Sequence, residues 1–272
     1  TRGRPCTNSY TGPLDGGSPG FQVEHASLEE RAAFLYDPER LEARFRTFEA
    51  CTLPALRAQT DPDFNFLVVI GDSFPIWARK RLETLLADIP QSVIQSHPPR
   101  QHRAVMRDAI NSLRLDTGAP CLQFRMDDDD AVSVHFVKRL RQDAHRVRSL
   151  IESERHVALD YRCGWAVSFG PKGMEAVEIN DGFWTPGLGI AFGPNIDLSI
   201  MNFSHNKLVR VMPSVSFVDQ DMFIRGISDM NDSRQKNGIK PYAFKALTDA
   251  QRVHFQNHYG ISETRVKEIF NA

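Results

Sequence analysis

Four consecutive carboxylates, Asp127-Asp128-Asp129-Asp130, stand at the end of an apolar run, Pro120-Cys121-Leu122-Gln123-Phe124, with only Arg125 and Met126 between. Like charges in a row repel one another and resist burial. A hydrophobic strand that delivers them to its C-terminal end therefore calls for a counter-charge. Hard oxygen ligands suit Mg²⁺, Mn²⁺ or Ca²⁺, and in open α/β sheets that end of the strands is where ligands gather. The plain alternative is a solvated acidic turn capping the next helix, with Asp129, Asp130 or Ser133 as N-cap. Other residues of chemical interest are scattered along the chain. Asp72 follows a second apolar run, and Asp219-Gln220-Asp221 is a late carboxylate pair. Arg125 stands beside the acidic run, where it screens repulsion or reaches a phosphate. Trp165 and Trp184 offer faces on which a sugar could stack, although large aromatics also serve as core.

These residues need elements to position them. Asp37-Pro38 gives an N-cap followed by Pro at the first helical position, and Leu41, Phe45, Phe48 and Leu56 fall near helical spacing. Pro54 should kink or restart that helix. Phe64 to Ile70 is a continuous apolar run ending in Gly71-Asp72-Ser73, which reads as a strand covered on both faces. Helices over about 75–87 and 101–115 flank the short run Ser92-Val93-Ile94. Strand and helix thus alternate with short connections before the acidic run. A basic helix over 134–151 follows, with Lys138, Arg139, Arg141, Arg146 and Arg148 opposite an apolar stripe. Those charges read as a solvated face, or as one that meets an anionic membrane surface.

Later, Val157–Tyr161 and Trp165–Phe169 read as strands around a break at Cys163-Gly164. Residues 182–193 form a Gly- and aromatic-rich loop or hairpin, Val209–Met212 a further strand, and Val218–Arg225 the start of a helix. Ser27 is placed to cap an early short helix, and Thr248 and Ser262 cap two closing helices. Residues 1–24 are rich in Gly, Pro, Ser and Thr, which is loop chemistry. No repeat or linker divides the chain, so one domain is expected over 1–272, with a first half at 25–150 and a second at 151–272.

Lys+Arg 33 against Asp+Glu 34 leaves no basic excess that would argue for nucleic acid. The four cysteines are widely spaced, which fits neither a zinc site nor a disulfide scaffold and agrees with a reducing cytosol. No apolar run reaches the ~20 residues of a membrane span. The chain starts at Thr1 without Met, so a segment upstream of it is expected.

The order of these motifs carries a resemblance. The segment Gln59-Thr60-Asp61-Pro62-Asp63-Phe64 leading into Leu67–Ser73, with the strand ending Met126–Asp130, resembles GT-A glycosyltransferases. More closely, Arg44–Thr60 together with Gln123–Ala131 is similar to a bacterial family of rhamnosyltransferases. The resemblance, over about 20–235, implies a GT-A-like α/β fold and a cytoplasmic, metal-dependent enzyme. That enzyme would move a sugar from a nucleotide-diphosphate donor to a glycan or lipid-linked acceptor. It implies Mn²⁺ or Mg²⁺ on Asp129 and Asp127, with His205 as a third ligand. Asp127, Asp72 and Arg125 would face the donor, and Asp130 and Trp184 the acceptor. Asp221, or Asp219, would be the general base at the start of a late helix. Asp128, pointing the other way on an extended backbone, would be structural, and Arg225 with residues 231–234 would close over the diphosphate. Such enzymes open with a strand at the nucleoside. Residues 1–10 make a poor one, so the first strand lies upstream or is irregular. A sugar nucleotidyltransferase would carry a basic Gly-rich loop, whereas residues 11–20 lack Lys and Arg. A non-catalytic Ca²⁺-dependent carbohydrate-binding protein would use the same carboxylates and tryptophans but is usually all-β.

Overall fold

The computed structural model describes residues 6–10, 27–114, 116–227 and 242–272. The central strand of its parallel half is the segment that looked least like one. Cys6–Tyr10 (β1) pairs in parallel with Asn65–Gly71 (β2), in the register Cys6↔Asn65 to Tyr10↔Val69. The expectation of a missing or irregular first strand is therefore corrected. A polar pentapeptide with Thr and Tyr is drawn into extended form by its neighbours on both sides, which override weak local propensity.

The Ser27 cap opens α1 (Leu28–Leu35), accepting from the Glu30 amide. Asp37 then caps α2 (Pro38–Thr47) by accepting from the Arg40 amide at 2.9 Å. Pro54 carries no N–H to continue the helical ladder. Accordingly, the chain widens into a π-helical turn at Phe48–Thr52 and restarts as α3, Leu53–Arg57. After β2 come α4 (Ile76–Leu86), β3 (Ser92–His97), α5 (His102–Ser112) and β4 (Cys121–Phe124). The strands β4, β1, β2 and β3 lie side by side and parallel, so their C-terminal ends share one edge. Every β2 residue after Asn65 is buried, as continuous apolarity required.

The rest of the sheet is mixed. After β5 (Ala131–Val132), the basic segment forms two helices, α6 (Phe136–Arg146) and α7 (Arg148–Ser153). Its cations are largely spoken for. Arg139 pairs with Asp143 and Asp219, Arg141 with Asp61 and Asp63, and Arg146 with Asp143. The strand β6 (His156–Gly170) is one long element and not two, antiparallel to β7 (Gly173–Asn180) and to β8 (Leu188–Phe192). The break expected at Cys163-Gly164 is a register shift against β9 (Ser214–Gly226), which runs parallel to β6. A Cβ on Gly164 would stand 2.5 Å from the Phe223 carbonyl oxygen, so only glycine allows this approach.

Two local expectations fail here. Residues 218–225 are strand, not helix, because β9 pairs with β6 along its length and with β5 at Ala131↔Ile224. Val209–Met212 is not a strand: His205–Arg210 forms a 3₁₀ turn that buries Leu208 and Met212 and leaves Val209 and Val211 exposed. A short strand β10 (Lys245–Ala246) lies on β7. The chain closes with α8 (Asp249–Tyr259), capped by Thr248, and α9 (Glu263–Asn271), capped by Ser262. The result is a ten-stranded mixed sheet flanked by helices, with the Asp-rich segment at the end of β4. No helix among the described residues is long and apolar enough to cross a membrane.

The core beneath that edge is aromatic. Phe124 and Phe136 are fully buried with ring centroids 4.9 Å apart, and Phe136 meets Tyr161 at 5.3 Å. Each such side chain contributes roughly 1.5–3 kcal/mol by leaving water, which fixes the end of β4 firmly under the acidic run.

Candidate active site

The four aspartates divide the work between them. Asp128 turns back to α2, where Arg44 grips it from Nε and Nη2 at 2.6 and 2.8 Å, so its expected structural role has a physical form. Thr52, in the π turn, donates to the Asp130 carbonyl at 2.7 Å. The helix restart before Pro54 thus clamps the acidic run from behind. Gln59 does the same for the following segment, donating to Ser133 O at 2.7 Å and accepting from Val137 N at 3.1 Å. None of Asp129, Asp130 and Ser133 caps α6: the residue before that helix is His135, and its side chain makes no capping bond. The run is therefore not a solvated helix cap.

The other three converge. One carboxylate oxygen from each of Asp127, Asp129 and Asp130 lies within 4.8 Å of the others, in a grouping that can hold a metal ion. Asp127 is open to solvent, Asp129 half-buried and Asp130 fully buried. From the facing strand β9, Arg225 Nη1 reaches Asp127 Oδ2 at 3.0 Å and Asp130 Oδ2 at 3.1 Å. Gly226 N donates to Asp130 Oδ1 at 3.1 Å. Loss of hydration pushes the Asp127 carboxyl up, but Arg225 and Arg125 outweigh it and hold it below the usual carboxylate range. Burial drives Asp129 well above that range, and Asp130, Asp128 and Asp127 add repulsion against the pull of Arg225. Burial likewise pushes Asp130 up to about 7, with Arg225 opposing and Asp127 assisting. An excess of negative charge remains where three oxygens meet, and the donor set of carboxylates fits Mn²⁺ or Mg²⁺.

The sign of the pH effect follows. A carboxyl whose folded pKa is raised contributes stability that is present below its unfolded value near 4 and lost as pH rises through about 7. With EDTA present, the stability of the wild type relative to Asp130→Asn should fall between about pH 4 and 7 and level off above, and Mn²⁺ should reduce that fall. Thermal melts across this range check it, and a pH-independent difference would count against the buried charge.

Gly226 is required by packing. A Cβ there would collide with the Asp129 carbonyl oxygen. Gly226→Ala is expected to cost roughly 1–3 kcal/mol by overpacking and to weaken Mn²⁺ binding by displacing Asp129. Melting temperature and a Mn²⁺ titration measure the two effects.

The remaining residues lie around this cluster at differing depths. Asp72 sits exposed in the turn after β2, on the same edge but two strands away, about 10 Å at the usual strand spacing. Arg125 makes a 3.5 Å contact to Met201 Sδ, while its Nε is buried with no hydrogen-bond partner among the described residues. Burial lowers its pKa, with Asp127 the chief opposing charge. An orphan N–H beside the carboxylates suits an anionic oxygen. His205 is half-buried, its Nδ1 2.6 Å from the Phe183 carbonyl. It does not join the three-carboxylate group, although Arg125, Arg225 and Asp127 lie close enough to influence its charge.

Trp184 belongs to the loop before β8. There Phe183 holds a left-handed φ of 63°, its amide bonded to buried Asp160 at 2.6 Å and its carbonyl to His205. Trp184, Tyr242 and Phe244 all pack against a small buried cluster of Ala166, Ile179 and Phe223, and the Trp184 Nε1 is buried without a partner among the described residues. Tyr242 also feels the charge of Arg225. An aromatic group thus borders the carboxylates on the β9 side. Tyr242 and Phe244 follow a segment too polar to single them out, so the sequence reading missed them. Residues 231–234 lie outside the described residues.

The candidate bases stand apart. Asp219 is exposed and bonded to Arg139 Nη2 at 2.9 Å. Asp221 lies on β9 and not at a helix start, four residues or roughly 13 Å of strand from Arg225. Its Oδ2 faces α8 and accepts from Trp165 Nε1 at 2.7 Å, His254 Nε2 at 2.7 Å and Tyr259 Oη at 2.9 Å. Trp165 is thereby committed to this contact and to Phe255, 5.3 Å away between ring centroids.

A family model described as "Putative rhamnosyl transferase" matches residues 6–240. The chain belongs to this family. The match reaches back to the first residue of β1, the strand that completes the parallel half of the sheet. None of the curated proteins compared with the chain matches it. Among solved structures, S. aureus TarS is similar at 8% identity and TM-score 0.45, over 83% of this chain and 37% of that one. S. aureus TarS 1–349 gives 10% and 0.42, over 82% and 60%. Its complex with UDP-GlcNAc gives 9% and 0.43, over 84% and 60%. The chain thus spans between about a third and three-fifths of those proteins.

Proposed function

We propose that the protein is a metal-dependent glycosyltransferase that moves a sugar, rhamnose by family membership, from a nucleotide-diphosphate donor to a hydroxyl of a glycan or lipid-linked acceptor. The observation that carries this is the convergence of Asp127, Asp129 and Asp130 at the C-terminal edge of the sheet, in a chain of this family. Asp129 and Asp127 are the residues that would hold Mn²⁺ or Mg²⁺. Such an ion, when bound, supplies Lewis acidity that neutralises a departing diphosphate.

The chain's own groups do the rest. Asp128, locked by Arg44, and Asp130, locked by Gly226 N, hold the segment so that Asp127 and Asp129 project together. The Arg125 and Arg225 guanidiniums offer charge to phosphate oxygens. Asp72 lies at the strand end where a nucleoside would sit. Trp184, with Tyr242 and Phe244, offers apolar faces to a sugar acceptor beside Arg225. Asp130, buried and bonded on both oxygens, serves this reading as a support and not as an acceptor contact. A general base must come within hydrogen-bond reach of the acceptor hydroxyl. Asp221 faces α8 instead, so no base is assigned to it. The basic face of α6, paired within the chain, is given no membrane role.

Thermal melts with UDP-, GDP- and dTDP-linked sugars, in Mn²⁺ or EDTA, test the reading. A donor at ~100 times its dissociation constant adds about 2.7 kcal/mol, a shift of several degrees at this size. The expected shift needs both metal and one nucleotide. A shift with metal alone would favour a carbohydrate-binding protein, and none with either would sink the proposal.

A further inference from the structure

One cation already occupies the space between the carboxylates. Arg225 Nη1 lies 3.0 Å from Asp127 Oδ2 and 3.2 and 3.1 Å from the two oxygens of Asp130. A single nitrogen therefore spans two of the three groups that would hold a metal. All of the hydrogen bonds that Arg225 makes to described residues run through Nη1, so among those residues the Nε and Nη2 donors of the fork have no acceptor. Beside it stands the orphan Nε–H of Arg125.

We propose that Arg225 is an exchangeable counter-ion: it holds Asp127 while the donor site is empty and releases it to a divalent cation only as a diphosphate arrives. This inference rests on reading the site as one for metal and nucleotide. Asp127 cannot give its full charge to a metal while it is bonded to the guanidinium, since the two cations compete for one oxygen and repel each other. Adding a dication alone to three carboxylates that already face two guanidiniums turns the excess charge from negative to positive. A diphosphate restores the balance, and its paired oxygens match the unused side of the guanidinium fork. Asp130 needs no such exchange, because Gly226 N and Asp127 N continue to bond it at 3.1 and 3.3 Å. Metal and nucleotide affinity are thereby coupled through one side chain, and the coupling is reciprocal.

Mn²⁺ binding to the whole chain, read by loss of the free-ion electron paramagnetic resonance signal, tests this without any measurement of turnover. The titration is run alone and with UDP, GDP or dTDP. The wild type is expected to bind Mn²⁺ at least roughly tenfold more tightly when the matching nucleotide is present. Arg225→Gln should bind Mn²⁺ alone roughly tenfold more tightly than wild type, and should lose most of the coupling. A folded Arg225→Gln that binds Mn²⁺ no better than wild type, or keeps the full coupling, overturns the inference while leaving the metal site in place. Should that variant not fold, Arg225→Lys decides, because it keeps the charge without the fork. A gain of about threefold in Mn²⁺ affinity supports the exchange, and an unchanged affinity overturns it. A wild type that takes up no Mn²⁺ with any nucleotide overturns the proposed function, and this inference with it.

Discussion

Asp129→Asn should lose at least about a thousandfold in transfer rate while melting no lower than the wild type. The two halves of this expectation come from the same crowding. Burial and three neighbouring carboxylates push Asp129 well above the ordinary range, against the single opposing charge of Arg225. Removing one of several crowded negative charges relieves the folded protein, so stability should hold or rise. Function takes the opposite sign. Of the three converging carboxylates, Asp127 and Asp130 are bonded to Arg225, and Asp129 has no such ion pair among the described residues. The amide that replaces it cannot supply the anionic oxygen, and removal of a group that stabilises transition-state charge typically costs 10²–10³ in rate. Loss of the ion itself takes more. Steady-state rates at saturating Mn²⁺, with a thermal melt on the same preparation, measure both. A variant that melts several degrees lower would mean that Asp129 holds the fold together. A variant that transfers sugar at the wild-type rate would remove it from the site.

How much of this was legible follows from how local each signal is. The acidic run after an apolar strand is contiguous in sequence, so its place at the sheet edge was readable, as were the caps at Asp37, Thr248 and Ser262. The continuous apolarity of β2 announced burial on both faces. What holds the run in shape was not readable. Arg44 reaches Asp128 across 84 positions and Arg225 reaches Asp127 across 98, and neither arginine stands out from the others of the chain. Two strands were hidden for different reasons. The polar β1 is made extended by β2 and β4 on either side. In β9, the consecutive buried residues Met222, Phe223 and Ile224 break the alternation that marks a strand. The break follows from the register shift against β6, where β9 is also covered by β5. Misreading β9 as a helix placed Asp221 at a helix start and made it a base. On the strand, it faces the C-terminal helices.

That placement makes Asp221 the site of the second large effect, on stability. Its Oδ2 is the shared acceptor for Trp165, His254 and Tyr259, and its backbone carbonyl takes His258 Nε2 at 2.6 Å. Tyr259 is fully buried and Trp165 nearly so. Asp221→Ala leaves the Trp165 N–H without an acceptor and leaves Tyr259 Oη only its longer 3.3 Å bond to the Phe223 carbonyl, and losing a hydrogen bond to a charged group costs about 1.5–3 kcal/mol. A total of roughly 3–5 kcal/mol corresponds to a melting temperature lower by about 6–15 °C at this chain length. The pH dependence distinguishes this from ordinary packing loss. Burial pushes the Asp221 carboxyl up, but the hydrogen bonds of His254, Trp165 and Tyr259 and the charge of His258 hold it below the usual range. A depressed carboxylate contributes stability that is present above its unfolded value near 4 and lost as pH falls through its folded value. The gap between wild type and Asp221→Asn should therefore be constant above pH 5 and shrink toward pH 3. The same Asn variant separates an anchor from a base. An anchor leaves the rate per folded molecule within about tenfold of wild type, whereas loss of a general base lowers it by 10²–10⁴. With the carboxylate turned toward α8 and away from the cluster on β4, the first outcome is expected. The second would require the acceptor to enter from the α8 side.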